Sequence, residues 1–185
     1  MNMSHSIVFL MGSPSTASRS TLVARAVASE TERAGLRVVF WSLSDFDPGE
    51  VLFGRSDSPR IAPFVEATKE ASGIVLATPV YKAAYTGALK AVVDLIPPES
   101  LVDKAALGIA TAKQAGHAAS VDQAYRSLFA FFKARPQETL FLHDDELQLA
   151  PGAGVLSVDA EQRVHRAARA LVQATEKAAR AVSRA

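Results

Sequence analysis

Two short stretches combine residue types that packing alone does not require. The first is Gly12-Ser-Pro-Ser-Thr-Ala-Ser-Arg-Ser20, which holds four serines, one threonine and one arginine within nine residues. Hydroxyls and backbone N–H groups gathered at a helix N-terminus form a nest for a phosphate dianion, and the helix macrodipole supports it. Arg19 adds a bidentate, charge-assisted contact. Ordinary helix capping would use only one of these hydroxyls. The loop matches neither G-x-x-x-x-G-K-[ST] nor G-x-G-x-x-G, so neither an ATPase P-loop nor a dinucleotide fingerprint fits.

The second stretch is Val75-Leu-Ala-Thr-Pro-Val-Tyr-Lys-Ala-Ala-Tyr-Thr-Gly-Ala-Leu-Lys90. It reads as a buried strand, then a polar and aromatic loop, then an amphipathic helix. Pro79 stops the strand and Thr86 caps the helix, whose apolar positions Leu89, Val92, Val93 and Ile96 follow i, i+3, i+4, i+7 spacing. Between them stand Tyr81, Lys82 and Tyr85, large groups on a connection that Gly and Ser could make.

The elements that must position these loops alternate along the chain. Strand-like apolar runs lie at Ile7 to Met11, Arg37 to Trp41, Ile74 to Ala77, Leu107 to Thr111 and Glu138 to His143. Helical spacing covers Ser20 to Ala34, Arg60 to Ala71, Thr86 to Ile96, Ala118 to Ala134 and Asp159 to Arg184, and Gly35 supplies the first C-terminal stop. The first helix is expected to bury Leu22, Val23, Ala26 and Val27. The fourth is expected to bury Val121, Tyr125, Leu128 and Phe132. The last is expected to bury Val164, Ala168, Leu171, Val172, Thr175 and Val182. Asp45 to Pro59 reads as a long loop, and Asp144, Asp145 and Glu146 as a solvated loop without the ligand pattern of a calcium site. Such alternation argues for a single α/β domain over residues 1–185, with a parallel five-stranded sheet between two helical layers. In the order 2-1-3-4-5, the phosphate nest after strand one and the aromatic loop after strand three meet at the switch point. A ligand with a phosphate at one end and a flat ring at the other suits that geometry, which points to flavin mononucleotide.

Gly12-Ser-Pro-Ser with Ser18-Arg-Ser20, together with Ala77 to Lys90, closely resembles the NAD(P)H-dependent FMN reductases. The reductase components of two-component alkanesulfonate and methanesulfonate monooxygenases are the most similar of these. Val51 to Pro59 and Asp94-Leu-Ile-Pro97 support the resemblance, which spans roughly Ile7 to Glu146. It implies a flavodoxin-like three-layer sandwich, assembled as a homodimer or homotetramer. It also implies FMN phosphate on Ser13, Ser15, Ser18, Arg19 and Ser20, with Pro79, Val80, Tyr81 and Lys82 along the ribityl chain and isoalloxazine edge. The implied reaction is hydride transfer from NADPH or NADH to FMN, with reduced flavin passed to a partner monooxygenase. The flavin performs the chemistry, so no catalytic nucleophile or base of the protein's own is called for. His5, His143 and His165 read as surface residues.

The sequence departs from the family twice. Thr111-Ala112-Lys113 stands where the family commonly has Thr-Gly-Gly, so side chains occupy a place of close backbone approach; Lys113 either faces a ligand or turns to solvent. Gln123 stands where the alkanesulfonate reductases insert a tyrosine associated with releasing flavin, and Tyr125 is assigned to the core. Two other functions therefore stay open: a quinone or azo reductase that retains its FMN, and a flavin-binding electron carrier without a nicotinamide site.

Bulk composition limits the alternatives. Hydrophobic residues make up 49%, charged residues 21%, and the formal net charge is +1, which gives no basis for binding nucleic acid or membranes. The absence of cysteine excludes disulfides, thiolate metal sites and cysteine nucleophiles. No apolar run reaches the ~20 residues of a membrane span. Met1 to Ser6 has no basic region before the short run Ile7 to Met11, so a cytoplasmic location is expected. The helix from Leu89 to Ile96 and the cluster Phe129, Phe131 and Phe132 are expected to offer apolar surface to another subunit.

Overall fold

The computed structural model describes residues 5–15, 17–150 and 153–182. Its central sheet is parallel and runs β2-β1-β3-β4-β5, formed by β1 (Ser6–Met11), β2 (Arg37–Ser42), β3 (Gly73–Pro79), β4 (Ala105–Ala112) and the two-residue β5 (Arg135–Pro136). A further strand, β6 (Leu140–His143), continues along the same edge of β4, pairing Ile109 with Leu140 and Ala112 with His143. The fifth position of the sheet is thus filled in two pieces. The expected strand from Glu138 begins only at Leu140. Pro136 leaves the ladder without an amide donor at that position.

β1, β3 and β4 are buried along nearly their whole length, as strands covered on both faces must be. One core packs Leu10, Leu76, Leu89, Phe64, Tyr125 and Phe129 beneath α3 (Ala62–Glu70), α4 (Gly87–Val93) and α5 (His117–Phe131). The other packs Phe9, Val27, Val75, Leu107 and Leu171 beneath α1 (Arg19–Arg33) and α6 (Val158–Val182). Gly35, at φ 90°, closes α1, with the Leu36 amide donating back to the Thr31 carbonyl at 3.3 Å.

Several sequence expectations are corrected here. The loop from Asp45 contains a short helix, α2 (Pro48–Leu52), capped by the Asp47 carboxylate. On α1 the buried stripe is Ser20, Val23, Ala24, Val27, Ala28 and Thr31. Leu22 is only half-buried because it turns to a β-hairpin not expected from sequence, β7 (Leu147–Ala150) with β8 (Ala153–Leu156), where it packs against Gly154. The expected end of the last helix, beyond 182, and the Val182 side chain lie outside the described residues. Leu89, Val92, Val93, Ile96, Phe129 and Phe132 are spent on the chain's own core, leaving Phe131 exposed at 65%. The other large exposed apolar groups include Leu52 and Phe53, each 74% exposed. No helix among the described residues is long and apolar enough to cross a membrane.

Candidate functional site

Four connections leave the C-terminal ends of β1, β3, β4 and β6, and they surround a cleft of about 410 Å³. Its lining draws Ser13, Ser15, Ser18 and Arg19 from the first, Pro79, Val80 and Tyr81 from the second, Thr111, Ala112 and Lys113 from the third and Asp144 from the fourth.

The first connection folds on its own hydroxyls. The Ser15 amide donates to Ser13 Oγ at 3.2 Å, and Ser15 Oγ donates to the Ala17 carbonyl at 3.3 Å. Ser18 is the N-cap of α1 and accepts from the Thr21 amide at 3.4 Å. Ser20 is fully buried behind it, 2.9 Å from Ser18 Oγ, and does not reach the cleft. Arg19 opens the helix with its Nε buried and lacking a hydrogen-bond partner among the described residues. A buried guanidinium nitrogen without an acceptor, beside a helix N-terminus, suits an anion.

The second connection is a closed loop. Thr78 Oγ1 donates to the Pro79 carbonyl and accepts from the Thr86 amide at 3.0 Å. At its tip the Tyr81 amide donates to the Ala84 carbonyl at 2.9 Å and the Ala84 amide returns to Tyr81 at 3.2 Å. Lys82 and Ala83, at φ 50° and 67°, make this tight reversal without glycine. The turn aims Tyr81, 51% exposed, along the cleft, whereas Lys82 stands exposed at the tip outside its lining. Tyr85 turns inward, its ring centroid 5.7 Å from that of Tyr125. Tyr125 is fully buried and its hydroxyl donates to the Leu76 and Ile109 carbonyls. Burial drives its phenol well above the ordinary pKa, with Tyr85 adding to the rise.

The acidic run after β6 is not a solvated loop. Only Asp145 is freely exposed, at 88% of its side chain. Asp144 lines the cleft 3.8 Å from Arg19. Glu146 pairs with Arg163 on α6 and accepts from the His143 amide at 2.7 Å. Burial pushes the Glu146 carboxyl up, but the Arg163 bond and charge and the His143 amide outweigh it and hold it below its ordinary value. His143, expected at the surface, is half-buried. Its Nδ1 lies 3.3 Å from the Asp145 amide, and its Nε2 donates to the Lys113 carbonyl.

These contacts close a circuit around the cleft. Thr86 Oγ1 donates to the Gly12 carbonyl at 2.6 Å, the Val80 amide donates to the Thr111 carbonyl at 2.9 Å, His143 holds Lys113, and Asp144 returns to Arg19. Sequence reasoning missed Ala17, Gln114, His117 and Asp144 in the lining. Asp144 carried a signal, an acidic residue just past a parallel strand end. A second groove of about 630 Å³ runs between α5 and α6 beside β6 and shares no lining residue with the cleft. Gln123 is exposed on α5 and lines neither.

A parallel sheet in this order, helices on both faces and a cleft at the switch point define the flavodoxin-like class. A flavodoxin from Streptococcus pneumonia TIGR4 superposes with a TM-score of 0.62 at 15% identity, covering 90% of this chain and 98% of that one. Within the class, residues 5–146 match the model of the NADPH-dependent FMN reductase family, and the chain belongs to that family. It is 37% identical over 129 residues to an FMN reductase (NADPH) of Escherichia coli K12, covering 70% of this chain and 68% of that protein. It is 35% identical over 164 residues to one of Pseudomonas putida KT2440, covering 86% and 82%. The apo structure of an NADH:FMN oxidoreductase aligns with a TM-score of 0.82 at 29% identity, over 91% of this chain and 89% of that one.

Proposed function

We propose that the protein is an NAD(P)H:FMN oxidoreductase, with FMN and the nicotinamide nucleotide meeting in the cleft between the β1, β3 and β4 connections. The observation that carries the reading is the convergence there of an anion-suited loop, Ser13 to Arg19, with the aromatic wall around Tyr81. FMN, when bound, supplies the hydride-accepting ring system. Ser13, Ser15, Ser18 and Arg19 hold its phosphate, while Ser20 steadies Ser18 from behind. Pro79, Val80 and Tyr81 form the wall of the ring site, Lys82 fixes the turn that aims Tyr81, and Thr111 to Lys113 form the facing edge. The chain's task is to orient two flat groups and exclude water between them, which needs shape and backbone donors but no side-chain base.

Within this reading, reduced flavin leaves for a separate monooxygenase, as in the reductase components the chain resembles. A homodimer or homotetramer covers the exposed Leu52 and Phe53. Steady-state kinetics with free FMN as the varied substrate, run beside a flavin-content measurement, tests the proposal. NAD(P)H oxidation that saturates with added FMN is expected. Oxidation that ignores added FMN in a stoichiometrically yellow protein points to retained flavin, and no oxidation with any acceptor overturns the enzymatic reading.

A further inference from the structure

Arg19 has a partner before any phosphate arrives. Asp144 lies 3.8 Å from its guanidinium, with side-chain exposures of 38% for the arginine and 15% for the aspartate. Among the described residues, Asp144 is the one carboxylate in the cleft lining. Its neighbours are not interchangeable with it, because Asp145 faces solvent and Glu146 is committed to Arg163. The turn carrying Asp144 is pinned by the His143 ring on one side and by the Glu146 carboxylate on the His143 amide on the other. The carboxylate is therefore built into the anion-binding end of the cleft.

A carboxylate there does nothing to hold a phosphate. It occupies the cation the phosphate needs and repels the phosphate's own charge. A protein built to keep its flavin would gain from an amide or a hydroxyl at this position. We infer that Asp144 sets how readily the flavin leaves, by competing with the FMN phosphate for Arg19. The inference rests on the FMN reading above and assigns that site a release element. Binding FMN breaks the Arg19–Asp144 pair, and dissociation restores it. Arg19 is thus never stranded, and the bound state is weaker by the pair that was lost.

The test is fluorescence titration of FMN and, in parallel, of riboflavin, which lacks the phosphate, into wild-type protein and Asp144→Asn. FMN is expected to bind roughly 3–10-fold more tightly to the variant, the range of a half-exposed ion pair, with riboflavin affinity unchanged. In an Arg19→Gln background the same substitution should tighten FMN binding by a clearly smaller factor, because only the direct charge repulsion is left to relieve; an equal gain in both backgrounds overturns competition for Arg19. Asp144→Ser, which keeps a turn-compatible side chain, provides a second reading should the asparagine variant fold poorly. FMN binding that is unchanged or weaker in both variants overturns the inference, as does a riboflavin shift as large as that for FMN. Wild-type protein that binds riboflavin and FMN equally well contradicts Arg19 as the phosphate partner. Wild-type protein that binds neither removes the FMN reading itself.

Discussion

The Thr86 hydroxyl donates to the Gly12 carbonyl at 2.6 Å while accepting from the Leu89 amide at 3.0 Å. One side chain thus caps α4 and ties the aromatic connection to the phosphate connection. The approach is close: a Cβ on Gly12 would lie 2.5 Å from that of Leu89. Thr86→Val should lose both bonds, lowering stability by about 1–3 kcal/mol and weakening FMN binding. Thr86→Ser should keep most of both. Urea unfolding beside FMN titration checks this, and equal behaviour of the two variants would refute the double role.

The turn at Lys82 and Ala83 holds two non-glycine residues at positive φ. Ala83→Gly is therefore expected to leave stability within about 0.5 kcal/mol, with relieved strain offsetting added chain entropy. Ala83→Val should cost about 1–2 kcal/mol, because a β-branched side chain tolerates this region least. Thermal melts of the two variants compare them directly.

Gly108 lies beneath the Tyr125 ring, where an added Cβ would come within 2.4 Å of Tyr125 Cδ2. The ring is anchored by its hydroxyl and cannot slide aside. Gly108→Ala should destabilise by about 1–3 kcal/mol through overpacking, and Tyr125→Leu should recover part of that loss in the double variant. Simple additivity in chemical denaturation would contradict the contact.

The Glu146 carboxyl is depressed in the folded protein, so its contribution to stability is present above the ordinary value of 4.5 and is lost as pH falls through the lower folded value. Arg163→Gln should reduce stability at pH 7 by about 1 kcal/mol and flatten the acid limb of the stability curve. Melting temperatures between pH 7 and pH 3 measure both, and an unchanged acid limb would count against the pair.

The sheet was legible because its central strands are short apolar runs, and the loops were legible because Ser13 to Arg19 and Tyr81 carry groups that packing does not need. Asp144 was harder. Its run of three carboxylates looks uniform in sequence, and only the fold separates a member facing Arg19 from one facing α6 and one facing water. The apolar residues of α4 and α5 read from sequence as surface that another subunit could cover, because periodicity reports a buried face and not what covers it; Leu89 and Phe129 are covered by the chain's own sheet. The hairpin at Leu147 escaped notice because each arm has only four residues. Such runs are too short for alternation to stand out.

The contact between His143 and residue 113 uses the carbonyl of Lys113, not its side chain. That contact is therefore indifferent to which side chain sits at 113, and the position is a free variable of the fastening. A substitution at 113 thus changes the side chain presented to the cleft without loosening the hoop of bonds around it.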